Sequence, residues 1–435
     1  MPSLEKKILD RSAIVSIIGL GYVGLPLAVT FAEAGFHVLG VEVLKRKVDS
    51  VNSGVSYIGD ISSERLSRVV GKKLLEATQY QSRLSEADVI SICVPTPLTK
   101  TKQTDLSYVI YESKEVAKRL RPGQLIVVES TTYPGTTREV CLPIMEKGGL
   151  KVGKDFYLAF SPERIDPGSV RYSLKNVPKV VGGIEPESTK IASLLYQQIV
   201  DKVQVVSSAE AAEMTKVFEN VFRSVNIALV NETAQLCHVM GVSIWEVIEA
   251  ASTKPYGFMP FYPGPGVGGH CIPLDPYYLA EKAREYDFHT RFIELAGEIN
   301  ERMPYYVVER VTEVLNNHGK SVKGARIFVL GIAYKKDVGD SRESPSLKLI
   351  ELLLNKGAVV DYNDPYIPEI SHEPGRVLKS IDLTQETLAG MDCVIITTDH
   401  TKYDYAQVAR WSKLVFDTRG VTRKLNRKNI IRLGE

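Results

Sequence analysis

The chain has 435 residues, 44% of them hydrophobic and 24% charged, ordinary values for a globular protein and enough for two or three domains. Its 54 basic and 52 acidic residues leave a net charge of +2, so no global field favours nucleic acid and an anionic ligand has to be met by a local basic cluster. Apolar stretches are broken within about a dozen residues and the N-terminal residues lack a signal-peptide core, so the expectation is a cytoplasmic protein with no membrane partner.

The first element is the apolar run Ala13–Ile18, which leads into Gly19-Leu20-Gly21-Tyr22-Val23-Gly24. This reads as strand, tight turn and helix, with Gly19 making the turn, Gly21 admitting a pyrophosphate and Gly24 allowing close helix packing. A glycine pattern of this kind also occurs in other α/β turns, so its surroundings matter. After the predicted helix Leu25–Ala34, a second strand His37–Val41 ends at Glu42, at about the 20-residue spacing expected for the acid that binds a ribose hydroxyl. That acid favours NAD, while the nearby Lys45, Arg46 and Lys47 leave NADP open. Further predicted strands at Val89–Val94, Leu125–Glu129 and Tyr157–Phe160 alternate with helical stretches, which implies a doubly wound parallel sheet over residues 1–206. Polar, turn-rich residues follow each of the three: Pro95-Thr96-Pro97, Ser130-Thr131-Thr132 and Ser161-Pro162-Glu163-Arg164. Ligand crevices lie beyond the strand ends of such sheets, so Glu163 is placed for acid or base work.

Residues 207–304 read as a helical domain, opening on a long stretch from Ala209 that is free of Pro and Gly until Gly241. Glu213, Lys216 and Asn220 fall on one face of that helix, either as a site or as a solvated surface. Next comes Gly264-Pro265-Gly266-Val267-Gly268-Gly269-His270-Cys271, with Asp275 four residues after the cysteine. A glycine-rich turn can present a thiol in a cleft, which makes Cys271 a nucleophile candidate, with a small buried hydrophobe as the alternative. The five cysteines (Cys93, Cys141, Cys237, Cys271 and Cys393) have neither disulfide nor zinc spacing, so no metal is expected. In the third part, residues 305–435, Ala325–Tyr334 echoes Ile17–Tyr22 of the first, with a second strand at Ala358–Tyr362. Ala333 replaces the second glycine and Lys335 follows, which suits the diphosphate of a different nucleotide or a purely structural unit. The expected architecture is therefore α/β, two Rossmann-like doubly wound domains joined by a central helical domain with a long helix.

The motifs GLGYVGLP, CVPTP, ESTTYPGTT, SPER, EMTKVFENVFR, GVGGHCIPLD, GIAYKKDVGDSRESP and FDTRG occur in this order. In that series the chain resembles the UDP-glucose/GDP-mannose dehydrogenase family over essentially its whole length. The resemblance implies an NAD-dependent oxidation of a sugar C6 alcohol to a carboxylate in two hydride transfers, through a thiohemiacetal and a thioester on Cys271. It assigns proton handling to Asp275 and Glu163, contacts to the C6 oxygen to Lys216 and Asn220, orientation of water to Thr131, and the diphosphate grip to Lys335 and Arg419. It further implies cofactor contacts at Gly19, Gly21, Tyr22, Val23, Gly24, Glu42, Pro95, Thr96 and Thr131, substrate contacts at Arg164, Tyr262 and Gly268, and a homodimer.

SPERIDPGS and the segment from Thr253 to Leu279 resemble the branch that acts on UDP-N-acetylhexosamines, particularly the UDP-N-acetylglucosamine 6-dehydrogenases, with UDP-N-acetylmannosamine, UDP-N-acetylgalactosamine and UDP-glucose as the alternative substrates. UDP-glucose enzymes usually have an arginine ahead of the glycine-rich turn and a lysine before the aspartate; here those stretches read Lys254-Pro255-Tyr256-Gly257-Phe258 and Leu274-Asp275. Which residue replaces that arginine stays open, with His270 one possibility. Two other classes share parts of the pattern. A single-step 3-hydroxyacid dehydrogenase has no need of Cys271 or the third domain, and a non-catalytic nucleotide-binding protein has no need of the acid, base and cysteine set.

Overall fold

The computed structural model describes residues 3–99, 103–165, 172–269, 272–373 and 376–435. The chain divides into two compact units: Met1–Glu219 with Glu281–Phe288, and Asn220–Ala280 with His289–Glu435.

The first unit is built on eight strands: β1 Ile14–Ile18, β2 His37–Val41, β3 Leu75–Thr78, β4 Val89–Ile92, β5 Leu125–Val128, β6 Tyr157–Phe160, β7 Lys179–Gly183 and β8 Val203–Val205. Val-Ile-Ser-Ile in β4 and Leu-Ile-Val-Val in β5 are buried at every position, as in strands covered on both faces, with Ser91 the one polar residue among them. The order β3-β2-β1-β4-β5-β6-β7-β8 reverses direction between β1 and β4, so the crevice of this sheet opens beyond the carboxyl ends of those two strands. Helix α1, Gly24–Glu33, buries Leu25, Leu27, Ala28 and Phe31, and α2, Pro186–Tyr196, buries Ile191, Leu195 and Tyr196. One feature differs from the all-parallel expectation: β7 runs antiparallel to β6, with Ala159 opposite Gly183 and Phe160 opposite Gly182. An apolar run marks a strand but carries no signal for its direction.

Helix α3, Ala209–Met240, is as long as its lack of Pro and Gly predicts. The second unit holds α4 Ile244–Ala251, α5 Asp275–Arg284 up to Ala280, α6 Arg291–Asn317 and α7 Pro345–Asn355. Its sheet comprises β9 Arg326–Leu330, β10 Val359–Asn363, β13 Cys393–Ile396, β14 Val415–Asp417 and β15 Ile430–Arg432, with a separate hairpin of β11 Glu369–Glu373 and β12 Arg376–Lys379. All five strands are parallel in the order β10-β9-β13-β14-β15, so the switch point lies between β9 and β13. The domain boundary expected at residue 304 falls inside α6, which continues through Pro304. Proline has no N–H to give the carbonyl four residues back. At Asn300 that carbonyl instead faces the glycine-rich loop: a Cβ on Gly266 would lie 3.2 Å from Asn300 O and 3.5 Å from the Pro304 ring.

Candidate active site

In the first unit, the turn after β1 separates its three glycines by function. A Cβ on Gly24 would sit 1.9 Å from Gly19 O, and one on Gly19, whose φ is +89°, 2.7 Å from Cys93 O at the end of β4. The protein's own packing therefore demands both. Nothing lies within 4 Å of the corresponding position at Gly21, where backbone stays open to a pyrophosphate. Glu42, buried at the end of β2, accepts the Leu20 and Leu44 N–H groups at 3.2 and 3.1 Å and pairs with Lys47 Nζ at 3.1 Å. Lys45 pairs with Asp49 at 2.7 Å, so two of the three basic groups that kept NADP open are engaged with carboxylates of the chain. Tyr22 is exposed on the turn and Val23 packs partly buried against the core.

Next to the turn, the ends of β4 and β5 are tied together: Thr96 Oγ1 donates to Thr131 O at 2.7 Å and Ser130 Oγ to Val94 O at 2.8 Å. Pro95 lies between the two tied positions, Val94 and Thr96. Beyond β6, Glu163 Oε1 accepts the Arg164 and Ile165 N–H groups at 2.7 and 2.8 Å, while Oε2 faces Lys179 Nζ at 3.5 Å. The Arg164 guanidinium is held within its own unit, on Glu219 at 2.6 and 3.2 Å and on Pro178 O at 2.7 Å. Glu213 is fully buried and accepts from Gly135 N, Thr137 N and Thr137 Oγ1 at 2.6, 2.9 and 2.7 Å. A solvated surface is thus ruled out at that position of α3. Burial pushes the Glu213 carboxyl up to about 7 against the pull of these donors. Lys216, three residues on, is partly buried.

In the second unit, Asn220 Nδ2 donates to Asp275 Oδ2 at 2.5 Å, both side chains buried. Cys271 and His270, the residues on which the nucleophile reading turns, lie outside the described residues. The loop leading to them is anchored by two asparagines that the motif reading did not single out. Asn231 Oδ1 accepts the Gly264 N–H at 3.0 Å, and Asn231 Nδ2 donates to Asn300 Oδ1 at 3.0 Å. Their signal was available, because Asn231 follows Asn220 by three helical turns on α3. A Cβ on Gly268 would lie 2.7 Å from Tyr334 Cβ and 2.8 Å from Glu343 O, so the loop packs tightly against the turn after β9. Tyr262 stacks on Trp245 of α4 with centroids 6.3 Å apart, and the Arg423 guanidinium lies 5.3 and 5.8 Å from the two rings.

At the switch point of the second sheet, Asp364 accepts the Ile332 and Ala333 N–H groups at 2.8 and 2.9 Å and meets His400 Nε2 at 3.0 Å. His400 Nδ1 accepts the Asp337 N–H at 2.9 Å, which fixes the imidazole as the Nε2–H tautomer donating to Asp364. This pair clamps the turn that carries Lys335. Arg419, just past β14, donates through Nε to Thr397 O at 2.8 Å, and a Cβ on Gly264 would fall 2.7 Å from its Nη1. Both nominated cations therefore sit at the switch point.

One mixed and one parallel sheet, each with its switch point furnished in this way, are the architecture of a protein with two nucleotide-binding folds. The comparisons with known proteins agree: the sequence matches the UDP-glucose/GDP-mannose dehydrogenase family in its NAD binding domain over residues 13–200, its central domain over 210–302 and its UDP binding domain over 328–424. It is 38% identical over 390 residues to a UDP-N-acetyl-D-mannosamine dehydrogenase of Pyrococcus horikoshii, covering 89% of this chain and 90% of that one. It is 35% identical over 365 residues to a UDP-N-acetyl-D-glucosamine 6-dehydrogenase of Pseudomonas aeruginosa, covering 83% and 85%. A solved structure of a UDP-D-ManNAc dehydrogenase from Pyrococcus horikoshii superimposes with a TM-score of 0.88 at 35% identity, covering 97% of this chain and 99% of that one. The chain belongs to the UDP-glucose/GDP-mannose dehydrogenase family, and its cofactor is NAD. Among the described residues no helix is long and apolar enough to cross a membrane.

Proposed function

We propose that this chain oxidises the C6 hydroxyl of a UDP-N-acetylhexosamine to the carboxylate in a four-electron reaction. The observation that carries the reading is the buried Asn220–Asp275 hydrogen bond, which joins the long helix to the segment following Cys271. Residues around Gly21 and Glu42 would hold NAD, and two NAD molecules bound in turn would each supply the acceptor for one of the two hydrides removed from a substrate. Lys335 and Arg419 take the diphosphate, with Arg164, Tyr262 and Gly268 as further substrate contacts.

The chain's own groups supply the rest. Lys216 and Asn220 bind the C6 oxygen and stabilise negative charge that develops there, an effect worth about 3 kcal/mol where oxyanion-site magnitudes apply. The Cys271 thiolate adds to the aldehyde, giving a thiohemiacetal whose oxidation leaves a thioester. Thr131 orients a water, Glu163 takes its proton as it attacks the thioester carbonyl, and Asp275 handles the proton returned to the thiol. The acid leaves and the thiol is regenerated. The chain is proposed to act as a cytoplasmic homodimer, a reading supported by the exposed apolar side chains of Phe218, Phe222, Leu229, Leu236 and Val239 on α3.

On the sugar itself, relatives on both sides of the C2 epimer pair are similarly distant, and the UDP-N-acetyl-D-mannosamine dehydrogenases include the 38% identical chain and the 0.88 superposition. UDP-N-acetyl-D-mannosamine therefore stands ahead of the UDP-N-acetyl-D-glucosamine expected from the motifs. Incubating the purified protein with NAD and each of the two epimers, UDP-N-acetyl-D-galactosamine and UDP-glucose, and identifying the product by mass, decides it. A uronic acid from an N-acetylhexosamine supports the reading, and turnover of UDP-glucose alone overturns it.

A further inference from the structure

Beyond the residues already assigned, the first unit contains a cluster of buried charge. Lys179, the first residue of β7, is 4% exposed and places Nζ 2.7 Å from Glu129 Oε2 and 3.5 Å from Glu163 Oε2. Glu129, completely buried at the end of β5, also accepts from Tyr196 Oη of α2 at 2.5 Å, and the Tyr196 ring lies 5.2 Å from the ammonium. Two carboxylates and one cation are thus enclosed together. Burying ions costs several kcal/mol each, and an apolar trio of similar volume is often as stable, so such a cluster has no evident purpose in the fold alone. Its position points to the site instead, because Glu129 directly precedes Ser130-Thr131 and Glu163 follows the neighbouring strand β6.

The two carboxylates are not equivalent. Lys179 and Tyr196 occupy both oxygens of Glu129, which no water can reach. Glu163 keeps a side-chain exposure of 14%, its Oε1 is filled by two backbone N–H groups, and its Oε2 has the ammonium at a long 3.5 Å. Oε2 is thus the oxygen with capacity left for a water. Although burial works to strip the Lys179 proton, Glu129 and Glu163 more than offset it and hold the ammonium above the ordinary lysine range.

We propose that Lys179, fixed by Glu129, is the positioning residue that presents a permanent positive charge to Glu163 Oε2 and thereby equips that carboxylate to take a proton from the water that releases the product. Lys179 touches no reacting atom in this account and acts only through Glu163. Without the cation, Glu129 and Glu163 are like charges that favour capturing a proton, and the base is lost.

This proposal rests on the thioester reading above, and its test separates the two. Lys179→Met and Lys179→Gln remove the charge, the glutamine still donating to Glu129 where the methionine variant does not fold; Lys179→Arg keeps it. Each is mixed with NAD and a UDP-N-acetylhexosamine that wild type turns over, quenched and weighed intact. The expected result is that the neutral variants accumulate protein heavier by the sugar acyl group, while their steady NADH production falls about 10²-fold, the usual scale of general-base loss. NAD affinity stays unchanged, and Lys179→Arg turns over within about tenfold of wild type without the adduct. Neutral variants that turn over like wild type, or that lose rate without ever accumulating the adduct, overturn the proposal. A wild type that forms no second NADH overturns the thioester reading itself.

Discussion

Asn220 and Asp275 share a buried hydrogen bond of 2.5 Å, with the amide donating to the carboxylate. The contact fixes two groups at once. It aims the Asn220 amide from α3, and it gives a buried carboxylate a donor that it could not lose cheaply. Replacing Asn220 with Ala is therefore expected to lower kcat about 10²-fold, on the scale of a lost oxyanion donor, with NAD affinity unchanged. Steady-state kinetics with calorimetric NAD titration checks this; an unchanged kcat removes Asn220 from the chemistry.

The glycines of the β1 turn give a paired prediction. Gly21→Ala adds a methyl where nothing lies within 4 Å, so the melting temperature is expected to stay within a degree or two while NAD binding weakens at least tenfold. Gly24→Ala drives its methyl to 1.9 Å from Gly19 O, so it is expected to destabilise the protein by several kcal/mol. Thermal melts with and without NAD separate the two effects. Equal melting temperatures for the two variants would contradict the packing difference, and unchanged NAD stabilisation of Gly21→Ala would contradict the assignment of Gly21 to the ligand.

Much of the site was legible because it follows short-range rules. Gly19, Gly21, Gly24 and Glu42 are spaced by the geometry of one βαβ unit, and β1, β2, β4, β5 and β6 are apolar runs that no other reading fits. What escaped notice depends on distant parts of the chain. Lys179 reads as an ordinary charge opening an apolar strand until Glu129, fifty residues before it, is seen at its ammonium. Asp364 and His400 look like loop residues, although together they hold the turn of Lys335. Nor does the sequence show that Pro304, a residue type that ordinarily stops a helix, sits inside α6 with the freed Asn300 carbonyl turned toward Gly266.

Glu213 leads to a pH prediction. Its carboxyl is raised to about 7 in the fold against 4.5 for the free group, so between those values the folded protein binds more protons than the unfolded chain. The stability it contributes is fully present below pH 4.5 and is lost as pH rises through 7, on the order of a few kcal/mol. Glu213→Gln leaves donors such as Thr137 N–H poorly matched and is expected to be less stable throughout. The gap to wild type, however, should narrow steadily from pH 5 to pH 8 in urea titrations. A gap independent of pH would mean that Glu213 does not titrate in this window.

Arg419 and Gly264 should behave as one unit. A methyl on Gly264 would collide with Arg419 Nη1 at 2.7 Å, so Gly264→Ala is expected to mimic Arg419→Lys, each weakening UDP binding about ten- to a hundredfold while NAD affinity holds. Calorimetric titration of UDP into each variant tests the pair. Unaltered UDP affinity in Arg419→Lys would remove the guanidinium from the diphosphate site.

The central claim is the four-electron oxidation, and the count of NADH formed per molecule of limiting UDP-N-acetylhexosamine tests it most directly. The account predicts two for wild type, with Cys271→Ala forming no acid. One NADH per sugar from the wild-type protein, with the aldehyde as end product, would contradict it.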